Sequence, residues 1–358
     1  MSSDNPVVAI VGATGAVGEE FLNLISERDF PFSELKLLAS KRSAGKALIC
    51  AGKEYTVEEL TAEAFRGVDI ALFSAGGSIS KEFGPVARDA GCLVIDNSSA
   101  FRMDPATPLV IPEVNPEALD SVRARSAGSG AIIANPNCST IIMMVPVHPI
   151  RERFGIERMV VSTYQAVSGA GAAAMRELVD QTRAELDGID RDREMFAEQC
   201  AFNVFAHDSK TDEATGRNVE EQKMIDEPRK MWNDPDLRVS ATCVRVPVLR
   251  AHSESINLTL KRPATETEIR DALAAAPGIE MIDDRANGTF PTPRKASGQD
   301  PVFVGRVRID ESPRVEGTGK DRRAIGFDLF VSGDQIRKGA ALNALQIAEL
   351  LVDSKVTA

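Results

Sequence analysis

One cysteine of this sequence stands where a reactive thiolate is favoured. Cys138 follows an apolar stretch that predicts a buried strand, and it opens a second apolar stretch that predicts a helix. The dipole and unpaired amides of a helix N-terminus lower the pKa of a thiol placed there, which favours nucleophilic chemistry. The adjacent Asn135 and Asn137 could direct donors toward an oxyanion at such a centre. The other four cysteines lack this setting, and we interpret them as small buried residues.

A catalytic thiol needs an acid or a base within reach, and the sequence offers three histidines. His252 lies in a turn between two predicted strands, seven residues after Arg245, where a side chain can reach a cleft. His148 lies between apolar residues, which favours packing, and His207 lies in a polar loop. The pattern therefore favours His252 as the partner of the thiol.

A glycine-rich turn near the N-terminus predicts a nucleotide site. Residues 7–11 form a short apolar run, and Gly12, Gly15 and Gly18 follow it with the spacing GxxGxxG before an amphipathic segment. A strand, a tight glycine turn and a helix N-terminus together suit the pyrophosphate of a dinucleotide. The alternative is a packed turn without a ligand.

The end of the second predicted strand favours NADP over NAD. NAD-binding proteins usually place an acidic residue there to hold the ribose 2′-hydroxyl. Here residues 35–39 are followed instead by Ser40, Lys41, Arg42 and Ser43. A guanidinium and two hydroxyls suit a 2′-phosphate, although a solvated basic loop would have the same composition.

Composition excludes several classes of protein. The 358 residues carry 42 basic and 53 acidic side chains, a net charge of −11, which argues against binding nucleic acid or an anionic membrane. Five cysteines without a CxxC pair argue against a disulfide framework or a zinc site. The longest apolar stretch, near 141–147, is far shorter than the roughly 18 residues of a membrane span. We therefore expect a cytoplasmic protein without a bound metal.

The elements that must position these residues indicate two domains. Strands alternating with helices up to residue 137 predict a Rossmann-type α/β domain with a parallel sheet. Alternating runs at 237–248 and 253–262 predict a mixed α+β domain with antiparallel strands. A last helix, expected from Asp334 to about Asp353, returns to the first domain. We assign 1–137 and 333–358 to the cofactor domain and 138–332 to the catalytic domain.

Seven segments in this order resemble the aspartate-semialdehyde dehydrogenase family, and together they span nearly the whole chain. They are GATGAVG (12–18), SKRSAG (40–45), NSSAFR (97–102), ANPNCST (134–140), YQAVSGAG (164–171), EEQKM (220–224) and RVPVLRAHSES (245–255). Each piece alone is weakly specific, but the combination is highly specific.

The resemblance implies an NADP-dependent enzyme that interconverts L-aspartyl 4-phosphate and L-aspartate 4-semialdehyde plus phosphate. It implies a homodimer, in which the second domain supplies the interface. In this reading Cys138 is the nucleophile, His252 the acid/base and Gln165 the residue that positions the substrate.

The resemblance also implies the binding residues. The substrate carboxylate would bind Arg245 in a bidentate fork, its ammonium Glu220, and the phosphate Arg102 and Lys223, with Asn137 beside the reacting carbonyl. Glu220 and Lys223 share one face of a predicted helix. The residues expected to contact NADP are Gly12, Thr14, Gly15, Ala16, Val17, Ser40, Arg42, Ser43, Ser168 and Gly169, with Asn343 or Gln346 at the nicotinamide end.

Two other functions remain open at this point. N-acetyl-γ-glutamyl-phosphate reductase performs the same chemistry on a longer, acetylated substrate, but the free ammonium of the aspartyl substrate calls for an acidic partner such as Glu220. A non-catalytic NADP-binding protein would keep the glycine turn without needing Cys138, Gln165, Arg245 and His252 together.

Overall fold

The computed structural model describes residues 5–126, 128–189, 192–313 and 315–356. Contacts divide this part of the chain into two compact units, with boundaries between Asn137 and Cys138 and between Gly339 and Ala340. The second boundary falls seven residues (339 − 332) after the one expected from the sequence. The reason is that residues 334–335 bond within the second unit: Asp334 pairs with Arg250 at 2.7 Å, and Gln335 accepts the Ala251 amide at 2.8 Å.

The first unit is built on a seven-stranded sheet with the order β3-β4-β2-β1-β5-β6-β7. All neighbours pair in parallel except the β3–β4 hairpin. The strands are β1 Val7–Val11, β2 Glu34–Ala39, β3 Ala47–Cys50, β4 Lys53–Glu59, β5 Ile70–Phe73, β6 Leu93–Asp96 and β7 Ala131–Ala134, and the helices before residue 138 are α1 Ala16–Glu27, α2 Gly77–Asp89 and α3 Asp120–Arg123.

Both faces of this sheet are buried, which explains its near-continuous apolar strands. Val8 and Ile10 of β1 belong to one hydrophobic cluster, together with Phe21 of α1. Ala9 and Val11 of the same strand point into a second cluster. The predicted Rossmann-type sheet is confirmed, whereas the β3–β4 hairpin was not predicted. Its two-residue turn places Ala51 and Gly52 at φ +47° and +73°, a left-handed turn suited to a twisted hairpin.

The second unit is built on an eight-stranded mixed sheet with the order β12-β13-β15-β11-β8-β10-β9, and β14 pairs with β15. The strands β10 and β8 run parallel, as do β12 and β13, and the other pairs are antiparallel. The elements are α4 Cys138–Phe154, β8 Ile156–Gln165, α5 Ala172–Asp187, β9 Phe205–Ala206, α6 Val219–Met231, β10 Arg238–Arg245, β11 His252–Ala264, α7 Glu266–Ala274, β12 Ile279–Met281, α8 Pro293–Ala296, β13 Val302–Ile309, β14 Val315–Glu316 and β15 Arg323–Gly333.

Local signals fix where two of these helices begin. Asn218 and Glu221 form a reciprocal capping box at α6, and Thr265 and Glu268 form another at α7. A capping box satisfies amides that the first helical turn leaves unpaired. The helix start expected at Thr265 is therefore confirmed.

The last helix, α9 Leu342–Val356, begins later than expected. The prediction that this helix begins at Asp334 was wrong. The Asp334 carboxylate accepts hydrogen bonds from the amides of Ile336 and Arg337 and so forms a separate turn. A π-helical turn, Arg337–Ala341, then leads into α9. In the described residues, no helix is both long enough and apolar enough to span a membrane.

Candidate active site

Cys138 is the first residue of α4, as the sequence predicted, and its Sγ lies 3.6 Å from Nε2 of His252. Cys138 is partly exposed, whereas the other four cysteines are buried. Burial raises the pKa of the Cys92 thiol to about 12 and that of Cys200 to about 11. Cys138 is therefore the thiol that a reagent or substrate can reach.

Gly339 allows the close packing around Cys138, a role that no motif in the sequence had indicated. A β-carbon on Gly339 would lie 3.0 Å from the β-carbon of Cys138 and 3.3 Å from that of Gln335. Such a contact is tighter than real side chains tolerate without a shift. The absence of a side chain at residue 339 thus leaves Cys138 in place.

His252 is the first residue of β11 and is completely buried. Its Nδ1 accepts a hydrogen bond of 3.0 Å from the amide of Ala166. A neutral imidazole whose Nδ1 accepts carries its proton on Nε2, so this ring presents an N–H to Cys138. Burial, with the charge of Arg245, lowers the pKa of His252 from 6.5 to about 3. The ring is therefore neutral, with a fixed tautomer.

Gln165 ends β8 and is buried, with its side chain bonded to Ser139, the residue after Cys138. Its Nε2 donates to Ser139 Oγ at 2.7 Å and to Glu220 Oε1 at 3.0 Å. Its Oε1 is buried without a hydrogen-bond partner among the residues described. Buried carbonyl oxygens are normally satisfied, so this atom is an acceptor available to a bound molecule.

Glu220 and Lys223 lie on one face of α6, as their spacing predicted, with Lys223 Nζ 3.0 Å from Glu220 Oε2. Glu220 is buried and its amide donates to Ser209 Oγ at 3.1 Å. Lys223 is more exposed, with a quarter of its side chain open to solvent. The pair brings one anion and one cation next to Gln165.

Arg245 ends β10 and is buried, with its guanidinium 5.3 Å from the ring centre of Phe196. It pairs with Asp208 at 2.6 Å and bonds to Nε2 of His207 at 2.9 Å. Neither partner was singled out from the sequence, where His207 was interpreted as a residue of a polar loop. Burial lowers the pKa of His207, and Arg245 adds to that effect. Because a guanidinium can only donate, Nε2 of His207 is the acceptor in its hydrogen bond with Arg245.

The turn after β8 closes this cluster. A β-carbon on Gly169 would lie 3.5 Å from Arg245 Nη1 and 3.5 Å from His252 Cε1. Ser168 is buried and bonds to Gln335 of the same unit. The second unit thus brings together Cys138, His252, Gln165, Glu220, Lys223, Gly169 and Arg245, all of which were expected from the sequence.

In the first unit the glycine turn has the form that a dinucleotide site needs. Gly12 has φ +89°, and a β-carbon on Gly18 would lie 2.3 Å from the carbonyl oxygen of Gly12. The helix α1 starts at Ala16, immediately after Gly15, so no side chain caps its first turn. The amides at this helix start can therefore meet a phosphate group, as in other dinucleotide sites.

The residues after β2 offer cationic and hydroxyl donors. Ser40 and Arg42 are exposed, whereas Ser43 is buried and accepts from Thr14 Oγ1 at 3.5 Å. No acidic side chain stands between Ala39 and Gly45. The cationic and hydroxyl donors present here fit a 2′-phosphate.

Of the remaining predicted residues of the first unit, Arg102 and Asn343 are buried and hydrogen-bonded to the protein, and Gln346 is partly buried. Arg102 donates to the carbonyl of Asn135 at 2.9 Å and to that of Asn97 at 2.7 Å. Asn343 donates to the Val110 carbonyl at 3.0 Å and to Asn135 Oδ1 at 2.6 Å. Asn137 is also buried, and Gln346 approaches Glu113 at 3.4 Å. Contacts of Asn343 or Gln346 with a cofactor stay a prediction.

A dinucleotide-type sheet and a thiol beside a fixed imidazole define a class of NAD(P)-dependent dehydrogenases that work through cysteine. The sequence model described as "Semialdehyde dehydrogenase, NAD binding domain" matches residues 7–122, and "Semialdehyde dehydrogenase, dimerisation domain" matches residues 147–338.

Relatives and solved structures narrow the class. The aspartate-semialdehyde dehydrogenase of Aquifex aeolicus is 51% identical over 348 residues, covering 96% of this chain and 97% of that protein. The aspartate-semialdehyde dehydrogenase 2 of Vibrio cholerae is 47% identical over 347 residues, with 96% and 97% covered. A crystal structure of aspartate semialdehyde dehydrogenase II from Vibrio cholerae, complexed with ASA, has a TM-score of 0.90 at 45% identity, covering 98% of this chain and 99% of that one. This chain belongs to the aspartate-semialdehyde dehydrogenase family.

Proposed function

We propose that this enzyme reduces L-aspartyl 4-phosphate to L-aspartate 4-semialdehyde and phosphate, and the reverse, in the biosynthesis of lysine, threonine and methionine. The observation that carries the proposal is the 3.6 Å approach of Cys138 Sγ to His252 Nε2. A thiol and an N–H donor at this distance suit an acyl-thioester route, because a thioester accepts hydride more readily than a carboxylate.

The first half of the reaction forms the thioester. The thiolate of Cys138 attacks the acyl carbonyl, a carbon–sulfur bond forms, and the carbon–oxygen bond to phosphate breaks. As the phosphate leaves, it takes up the one proton that the overall reaction consumes and becomes the hydrogen phosphate dianion. In this proposal Arg102 and Lys223 stabilise the phosphate, and Asn137 donates toward the carbonyl oxygen.

The second half releases the aldehyde. When bound, the cofactor supplies the hydride that reduces the thioester carbonyl. The resulting oxyanion collapses, the carbon–sulfur bond breaks, and the Nε2–H of His252 stabilises the departing thiolate. Because Nδ1 of His252 accepts the Ala166 amide, the ring acts from its Nε2 side alone.

The charges of the substrate indicate which side chains bind it. We propose that Arg245 binds the substrate carboxylate, that Glu220 takes its ammonium, and that Gln165 positions it beside the thiol. The acceptor Oε1 of Gln165, buried without a partner in the described residues, supports the last role. An acetylated substrate has no ammonium for Glu220, which disfavours the glutamyl-phosphate alternative.

We propose NADP as the cofactor, held by the backbone and side chains of Gly12, Gly15 and Thr14 to Val17, by Ser40, Arg42 and Ser43, and by Ser168 and Gly169. The absence of an acidic side chain between Ala39 and Gly45 supports NADP over NAD. Asn343 or Gln346 would then serve the nicotinamide end.

We also propose a homodimer in the cytoplasm. The description of the matched second domain as a dimerisation domain supports the dimer. So does the open face of the second sheet, where Tyr164 is 38% exposed and its ring centre lies 6.3 Å from that of Phe330. All five cysteines lie in described residues and none is in a disulfide, which is typical of a reducing compartment.

The deciding experiment is an assay of NADP reduction with aspartate semialdehyde and phosphate. We expect turnover that requires both, with much lower activity on N-acetylglutamate semialdehyde and with NAD. Turnover without phosphate, or a preference for the acetylated substrate, would contradict the proposal.

A further inference from the structure

The guanidinium of Arg245 is already occupied in this structure. The side chain is only 3% exposed, so its donors depend on protein groups for their hydrogen bonds. Of its five N–H bonds, four have partners in the described residues: two point to Asp208, one to His207 and one to the Ala166 carbonyl. A bidentate fork open to the substrate, as the sequence suggested, is therefore not present.

Asp208 holds the edge of the guanidinium formed by Nε and Nη2. Its Oδ1 lies 3.2 Å from Nε and 2.6 Å from Nη2 of Arg245. Carboxylates commonly bind arginine across such an edge. Burial by itself raises the pKa of Asp208, but its hydrogen bond to Arg245 and the charge of that residue outweigh this and lower it. The group on the edge is thus an ionised carboxylate.

The other partners of Arg245 are less able to leave. Ala166 contributes a backbone carbonyl at 3.0 Å, and its amide is bound to His252. The His207 side chain is 11% exposed, whereas the Asp208 side chain is 33% exposed. Asp208 also lies in the loop between β9 and α6, after the two residues of β9 that pair with β10. Asp208 is therefore the partner of Arg245 that a ligand can most easily replace.

We infer that Asp208 stands in for the substrate carboxylate on Arg245, and that substrate binding exchanges one carboxylate for the other. The inference rests on the proposed function and concerns the same site. It explains how a buried guanidinium avoids the cost of unpaired donors before substrate arrives. Exchange of like for like also selects for a ligand with a carboxylate, since a neutral group cannot replace an ion pair.

The ammonium side of the site has the same arrangement. Lys223 Nζ lies 3.0 Å from Glu220 Oε2, where the substrate ammonium is proposed to bind. Lys223 thus takes the position proposed for the substrate ammonium, and Asp208 takes the position proposed for the substrate carboxylate.

The test compares Asp208→Asn with a matched control, Glu213→Gln, which removes one charge from the same loop at an exposed residue. Asparagine keeps the shape but competes more weakly for Arg245, so the KM for aspartate semialdehyde should fall about three- to tenfold, in keeping with the loss of a charge-assisted hydrogen bond. We expect kcat to change less than about twofold, which separates competition from structural damage. The control should match the wild type.

Two inert analogues make the effect specific. The inhibition constant of L-2-aminobutyrate, which keeps the substrate carboxylate, should fall in Asp208→Asn by the same factor as the KM. That of propan-1-amine, which lacks the carboxylate, should stay unchanged. An unchanged or raised KM in Asp208→Asn would overturn the inference.

A crystal structure of the wild type with L-2-aminobutyrate tests the exchange without a variant. We expect the ligand carboxylate at Nε and Nη2 of Arg245 and Asp208 displaced from both atoms. Retention of both Asp208 contacts beside bound ligand would refute it. If the wild type does not reduce NADP with aspartate semialdehyde, the proposed function is refuted. The crystal structure with L-2-aminobutyrate would still show whether a ligand carboxylate replaces Asp208 on Arg245.

Discussion

The amide of Ala166 donates a 3.0 Å hydrogen bond to Nδ1 of His252 and so determines which nitrogen of the ring carries the proton. The other nitrogen, Nε2, lies 3.6 Å from the sulfur of Cys138. A protonated ring would set two N–H groups against each other at Nδ1, which adds to the cost of burying its charge. The cysteine therefore faces a neutral N–H donor rather than an imidazolium.

This tautomer can be observed directly. In protein labelled with ¹⁵N at histidine, we expect His252 to show a protonated Nε2 and an unprotonated Nδ1, without titration between about pH 5 and 8. The reason is the lowering of its pKa to about 3 by burial and by Arg245. The variant His252→Asn identifies the signal. A titration midpoint near 6.5 would rule out the fixed neutral ring.

The same lowered pKa makes stability depend on pH. Unfolded His252 binds a proton below about pH 6.5 and the folded residue does not until about pH 3, so its contribution to stability is lost as the pH falls through this range. From pH 7.5 to 5.0, wild type should lose about 2 kcal/mol more unfolding free energy than His252→Asn. Urea unfolding at both pH values measures this, and equal losses would contradict it.

Thiol chemistry should be confined to one cysteine. A thiol reagent such as iodoacetamide should label the native wild type once and quickly, and Cys138→Ala not at all on that timescale. The other four cysteines are buried, and burial raises the pKa of each. Cys138→Ala should also lose turnover by at least about 10³-fold while binding NADPH as before. Substantial residual activity would exclude the covalent route.

Gly169→Ala tests the space beside the imidazole. The added methyl would stand at ordinary contact distance, 3.5 Å, from His252 Cε1 and from Arg245 Nη1, so folding should be unaffected. The methyl would narrow the space beside His252 and Arg245, and kcat/KM should fall by about tenfold or more. Gly77→Ala is the control, because a methyl there meets nothing within 4 Å. A lowered melting temperature in Gly169→Ala alone would point to strain instead.

Arg42→Ala tests the choice of cofactor. If Arg42 binds the 2′-phosphate, the KM for NADPH should rise about tenfold or more and that for NADH should change little. Lys41→Ala, which removes the neighbouring exposed charge, is the matched control. Equal effects on both cofactors would remove the basis for the NADP assignment.

Much of the fold and most of the chemistry could be predicted because they depend on short segments. A strand, a glycine turn and a helix follow one another at residues 7–27, and Gly12 and Gly18 occupy positions where a side chain would clash. Cys138 was predicted at a helix start because an apolar strand and an apolar helix meet there. The late start of α9 was missed because the Asp334 carboxylate caps a separate turn, which periodicity does not reveal.

The sequence by itself determined which groups the candidate site contains: a thiol, an imidazole and a set of charged side chains. Only the tertiary structure decided their states. The amide on His252, the carboxylate on Arg245 and the missing side chain at Gly339 all come from residues distant in sequence from those they act on. Hydrogen-bond partners and burial set protonation and accessibility, and both arise only when strands β8, β10 and β11 bring those residues side by side.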